Sequence, residues 1–180
     1  MKVQLNRAFP LPASADAAWA VLQDIAAVAA CMPGAKITER VDETHYKGTV
    51  AVKVGPASLS FRGEIEVKGM DASARTLRLS AKGTDTTGGS AASMDLTARI
   101  EAQGASACNL VGDSEVSMSG KAAAFGSRLM GPVSDQVLGQ FAANFAARLQ
   151  AMPAPEAKPL NALGLMWAVV KGWFRSVFGR

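Results

Sequence analysis

Histidine is nearly missing from this 180-residue sequence: His45 is the only one. A single imidazole excludes a paired-histidine metal site and any relay that needs two. Its place beside Lys47 and Lys53 in an alternating segment makes it a solvated strand residue. Cysteine is scarce as well. Cys31 and Cys108 match no zinc spacing and lie among apolar residues, which predicts buried, reduced thiols. Asp85, Asp95 and Asp113 fall in or beside strand-like segments, but no two carboxylates are spaced for shared acid–base work. The stretch GTDTTGGS (Gly83–Ser90) has glycines without the lysine and following helix of a phosphate loop, so it reads as a mobile turn at the mouth of a sheet. Asn6 and Arg7 come before any apolar run of signal-peptide length, which predicts a cytosolic protein. Little is left for catalysis, and the expectation is a protein that is not an enzyme, with no metal and no covalently bound cofactor.

Acids vanish from the end of the chain. Four of the 19 Lys and Arg (Lys158, Lys171, Arg175 and Arg180) lie beyond Glu156, the last of the 15 Asp and Glu, so the tail carries the whole net charge of +4. Aromatic residues, only 6% of the sequence, gather there too as Trp167, Trp173, Phe174 and Phe178. On a helical wheel these four join Leu163, Met166, Val170 and Val177 in an arc of about 140°, with Lys171 and Arg175 opposite. The longest uncharged run of the segment, Pro159 to Val170, is twelve residues, short of the roughly 20 that span a bilayer. Buried apolar side chains contribute about 1.5–3 kcal/mol each and cations near an anionic leaflet about 1 kcal/mol each. Together they predict a helix lying in a membrane interface, with Leu163, Met166, Trp167, Val170, Lys171, Trp173, Phe174, Arg175, Phe178 and Arg180 against the lipid. A basic excess held in an apolar, aromatic segment points away from nucleic acid. The other reading is a helix docked on its own domain or in a partner's groove.

The body is organised by changes of period. KVQLNRAFPLP is a short alternating strand that stops at prolines. Ser14 is a natural N-cap for a first helix carrying Trp19 and Leu22 on one face, and IAAVAACMPG is a second, ended by Pro33 and Gly34. From Lys36 to about Ser119 the period becomes two, in about six strand-length pieces; in SLSFRGEIEVKG, Leu59, Phe61, Ile65 and Val67 point one way and Arg62, Glu64, Glu66 and Lys68 the other. Phe125, Leu129, Val133, Val137, Phe141, Phe145 and Leu149 then recur every four residues, which predicts a long amphipathic helix across the sheet's dry face, interrupted by Gly131 and Pro132 near Met130. Three prolines in AMPAPEAKP make a linker. The expected domains are a body over 1–150, a Pro-rich linker over 151–159 and the amphipathic tail over 160–180. The fold class is α+β: an antiparallel sheet wrapped around a long C-terminal helix, the order of the helix-grip (START-like) architecture.

An apolar groove between sheet and helix is the expected site. Its lining would come from Trp19 and Met32 of the helical region, Val52, Phe61, Ile65 and Leu79 of the earlier strands, Met94, Leu96, Leu110 and Met118 of the later ones, and Phe125, Leu129, Val133, Val137 and Phe141 of the long helix. Gly48, Gly63, Ala81, Ala98 and Gly112 on the same face either leave volume for a ligand or allow close packing of the helix, and both readings stay open.

AACMPGAKI, VAVKVGPASLSFRGEIEVKGMD and FGSRLMGPVSDQVLGQFAANFAARL resemble the corresponding segments of the carbon monoxide dehydrogenase G-subunit family, within the START-like (SRPBCC) superfamily, over roughly Met1 to Leu149. Pro132 departs from the smoother helix expected there. The resemblance implies a helix-grip fold with an apolar cavity, no intrinsic catalysis, and a role beside molybdenum-containing carbon monoxide dehydrogenase or a related hydroxylase. It further implies a bound respiratory quinone, ubiquinone or menaquinone, and a place on the inner face of the cytoplasmic membrane. The alternatives are a recruiter of the enzyme with no ligand, and a cyclase, which the missing acid–base residues disfavour.

Overall fold

Period-two segments become strands and the capped segments helices in the computed structural model, which describes residues 1–151. In chain order the elements are β1 (Lys2–Leu11), α1 (Ala15–Leu22), α2 (Ile25–Cys31), β2 (Ala35–Arg40), β3 (His45–Val54), β4 (Ala57–Asp71), β5 (Thr76–Asp85), β6 (Ser90–Ala102), β7 (Cys108–Gly120), α3 (Lys121–Ala124) and α4 (Gly126–Ala151). The predicted linker beyond Ala151, and the tail with all ten of its lipid-facing residues, lie outside the described residues.

Seven strands make one antiparallel sheet in the order β1-β7-β6-β5-β4-β3-β2. β2 to β7 form a meander, because each strand ends in a turn too short for anything but a hairpin to its neighbour. β1 instead crosses to the far edge of β7, from Lys2 opposite Ser117 to Leu11 opposite Cys108, and carries α1 and α2 behind it. Inner positions take Tyr46, Phe61, Leu77, Leu79, Ile100 and Leu110, all buried, while the outer face holds exposed pairs such as Lys2–Glu115 at 2.8 Å and Lys68–Glu66 at 2.6 Å. Exposed pairs of this kind contribute under about 1 kcal/mol each, so burial on the inner face sets the register.

Gly48, Gly63 and Gly83 stand side by side on three adjacent strands. A Cβ on Gly63 would lie 2.0 Å from the Lys82 carbonyl oxygen, and one on Gly48 would lie 2.7 Å from that of Lys36. The strands close on each other here too tightly for any side chain. Gly112 differs: its Cβ would meet only Leu96 Cδ1, at 3.8 Å. At Gly48 and Gly63 the close neighbours are therefore strand backbone rather than the helix or a ligand space, while a methyl at Gly112 would make only ordinary contact.

The helices start where their caps dictate. Ser14 accepts the Ala17 N–H at 3.2 Å and Asp24 accepts the Ala27 N–H at 3.1 Å, each satisfying one orphan donor of a first turn. α3 borrows its cap from the sheet, Ser90 Oγ accepting the Ala122 N–H at 2.9 Å. The interruption expected at Gly131 and Pro132 falls earlier, at Phe125, where Gly126 takes φ +67, a left-handed value that costs glycine little. α4 runs unbroken through Pro132, whose ring removes only the bond to the Arg128 carbonyl.

Two apolar clusters lie under α4. The larger joins α1 and α2 (Trp19, Leu22, Ile25, Cys31) to Leu77, Leu79, Ile100 and Leu110 of the sheet and to Phe141, Phe145 and Leu149 at the end of α4. The smaller gathers Phe61, Met118 and Ala122, with Met130 packed on it. Asn144 Nδ2 donates to the Cys31 carbonyl at 2.8 Å, and Arg7 pairs with Asp135, so α4 is tied to α2 and to β1.

Candidate functional site

The two ends of the sheet are built differently. At one end α1 lies by the β4–β5 turn, with Arg75 donating to Asp16 at 2.8 Å, and the larger cluster fills the space. At the other end are the β3–β4 and β5–β6 turns, α3 and the start of α4, where Lys121 donates its N–H to the Gly89 carbonyl at 2.9 Å.

Between the clusters the wall is apolar but not sealed. Met94 and Leu96 of β6, Val116 of β7 and Val133 and Val137 of α4 are each only partly buried, and the two valines of α4 belong to neither cluster. Met94, Leu96 and Val116 sit in the middle of the sheet, on the side that faces α4, with Met94 and Leu96 packed at the edge of the larger cluster and Val116 at the edge of the smaller. Of the other expected lining residues, Trp19, Leu79, Leu110 and Phe141 are buried in the larger cluster, with Met32 and Ile65 packed against it. Phe61 and Met118 anchor the smaller cluster, and Val52 and Phe125 are partly buried. Leu129 is 42% exposed.

Helix geometry explains Leu129. A four-residue spacing overshoots each turn by about 40°, so five such steps from Leu129 to Leu149 rotate by about 200° and cannot share one face. The face turned to the sheet instead runs through Met130, Phe141 and Phe145, within about 60° of one another, with Val137 beside them.

Polar groups near the interior are occupied. Asp85, buried at the end of β5, accepts the Thr87 hydroxyl and nearby backbone N–H groups, which hold its carboxyl below the usual carboxylate range. It anchors the β5–β6 turn as a charged group. Burial pushes the Cys31 and Cys108 thiols up, so both are inert neutral side chains. His45 stands exposed on the outer side, its Nδ1 at 2.9 Å from Asp42. Among the described residues no group of three or more His, Cys, Asp and Glu could hold a metal ion. None of their helices is long and apolar enough to cross a membrane.

A second concavity escaped the sequence. Across the outer face runs an open groove of about 730 Å³ whose floor is the backbone at Gly63, Gly83, Ala92 and Met118. Lys47, Glu64 and Lys82 form one wall, in register on β3, β4 and β5, and Arg62 and Thr84 the other, with Ser93, Ser117 and Ser119 completing the β6–β7 end. The strands' alternation places the charged and hydroxyl side chains outward, but nothing in a linear pattern aligns them.

Comparison with solved structures places this architecture. A conserved protein from Geobacillus kaustophilus is similar with a TM-score of 0.74 at 19% identity, over 82% of this chain and 95% of that one. The Zhui aromatase/cyclase from Streptomyces sp. R1128 is similar with a TM-score of 0.60 at 15% identity, over 83% and 94% of the two chains. A START superfamily protein from Mycobacterium smegmatis has a TM-score of 0.60 at 14% identity, over 83% and 99%. At such identities the likeness establishes the helix-grip fold and nothing about activity. No curated protein matches the chain. The profile of the CoxG family, the G-subunit of carbon monoxide dehydrogenase, matches residues 8–150, covering the end of β1, the other six strands, α1, α2, α3 and nearly all of α4, and the chain belongs to that family.

Proposed function

We propose that the protein is a non-catalytic accessory of a molybdenum hydroxylase of the carbon monoxide dehydrogenase type, sheltering a respiratory quinone beneath α4 and delivering it as electron acceptor at the cytoplasmic membrane. The observation that carries the reading is the unsealed apolar wall between the two clusters. Met94, Leu96, Val116, Val133 and Val137 are only partly buried, and an apolar ligand covering their side chains would gain about 25 cal/mol per Å² covered. The family name supports the partner, and the acid-free tail supports the membrane. In this role the chemistry stays on the partner: the chain's own residues exclude water and hold the ligand. The aromatase/cyclase among the structural neighbours shows only that this architecture is compatible with catalysis elsewhere.

Organic extraction of full-length protein purified without detergent from a quinone-making host, followed by mass spectrometry, should recover ubiquinone or menaquinone in near-stoichiometric amount. Met94→Trp together with Val133→Trp should fill the gap and abolish it. Protein that emerges free of lipid and does not take up added quinone reduces the role to that of a recruiter without a ligand. Removing residues 158–180 should stop the protein floating with anionic vesicles while leaving quinone in the body; flotation that survives the deletion overturns the membrane assignment.

A further inference from the structure

We propose that the outer groove is the docking surface for an acidic segment of the partner oxidoreductase, an assignment that takes the partner's identity from the reading above and its location from the groove alone. The cations are placed for it. Lys47, Arg62 and Lys82 stand on three successive strands. Among the described residues Arg62 and Lys82 form no ion pair, and Lys47 pairs with Glu39 at 3.2 Å on the exposed rim. Glu64 is the one acid in the lining, set between Lys47 and Lys82. It leaves a cationic excess while keeping any single anion from settling on that row. Beyond the charges, Ser93 and Ser117 offer hydroxyls that can bond to peptide groups.

Size selects a polypeptide. Adjacent strands lie about 4.8 Å apart, so the groove runs about 19 Å from β3 to β7, the length of roughly six extended residues. Its cations are spread over three of those five strands, about 10 Å, rather than focused on one point, which suits several carboxylates in sequence better than one phosphate. The groove presents no aromatic side chain on which a base could stack, and none of its lining residues is a large apolar group protruding toward lipid.

Two measurements on the full-length protein test the assignment. In heteronuclear NMR, a hexaglutamate peptide should shift Lys47, Arg62, Lys82, Ser93 and Ser117, hexaglutamine should not, and Arg62→Glu with Lys82→Glu should abolish the effect. An absence of shifts there, or equal shifts with inorganic phosphate alone, overturns the proposal. Against purified molybdenum-containing carbon monoxide dehydrogenase, the same double reversal should weaken binding at least tenfold, and the neutral pair Arg62→Gln with Lys82→Gln should weaken it less. Both variants should keep the wild-type circular dichroism. A reversed variant that binds as tightly as wild type overturns the docking surface and leaves the accessory role standing; wild-type protein that does not bind the dehydrogenase at all overturns both.

Discussion

Replacing Gly63 with alanine would place a methyl carbon 2.0 Å from the Lys82 carbonyl oxygen and 2.7 Å from Gly83 Cα. Real Cβ contacts essentially never fall below 3.0 Å, so the two backbones must part by about 1 Å, and neither is a flexible side chain that can swing away. Gly63 is paired on both sides, with Gly48 and Gly83, so the shift strains two ladders. Overpacking costs about 1–3 kcal/mol, and one or two weakened hydrogen bonds add about 1 kcal/mol each. The expected loss is about 2–4 kcal/mol, or a fall in Tm of roughly 5–15 °C for a domain of this size. Gly112→Ala is the matched control. Its methyl meets only Leu96 Cδ1 at 3.8 Å, and the reduced freedom of the unfolded chain should leave it neutral or up to about 1 kcal/mol more stable. Urea denaturation followed by circular dichroism separates the two. A Gly63→Ala protein within about 0.5 kcal/mol of wild type would refute the argument that close backbone approach requires this glycine.

Phe145, fully buried against Phe141 at a centroid distance of 5.9 Å, should cost about 3–5 kcal/mol on truncation to alanine, while Leu129→Ala should stay within about 0.5 kcal/mol; equal losses in urea titrations would mean that α4 presents a different face. Asp42, held at about 2 by the Thr44 backbone N–H and then by His45, has a folded pKa below its ordinary 3.8. Its contribution is therefore present above pH 4 and lost as pH falls toward 2, so Asp42→Asn should flatten the Tm-against-pH curve across that window and nowhere above it. Cys31 and Cys108 should resist a thiol reagent at pH 8 in the folded protein and react within minutes in denaturant; rapid labelling of the native chain would contradict their burial.

The strands and the first two helices were legible because each rests on a local rule: alternation for β3 to β7, Ser14 as a cap, Pro33 and Gly34 as the stop. The face of α4 was not, because Phe125 to Leu149 keep a spacing of four that looks periodic yet precesses around the helix. Gly126 and Pro132 are both breakers on paper. Only the left-handed φ at Gly126 decides where the helix divides. The glycine row was visible as a set of small residues, but whether smallness makes room or permits contact depends on the Lys82 and Lys36 carbonyls, which belong to other strands. The outer groove was the least legible, since Lys47, Glu64 and Lys82 meet only through the pairing of three strands.

The pairing of β1 with β7 sets a schedule for synthesis. The chain's first strand finds its partner only after about a hundred further residues have been made, an interval of roughly 5–20 s at ordinary translation rates, while β2 to β7 can zip hairpin by hairpin as they emerge. Until then Val3, Leu5 and Phe9 wait without a neighbour, and β7, once made, remains a raw border open to any passing strand. Shortening the amino terminus by ten residues would make that interim state permanent, and such a protein should self-associate through β7 even though the rest of its meander is intact.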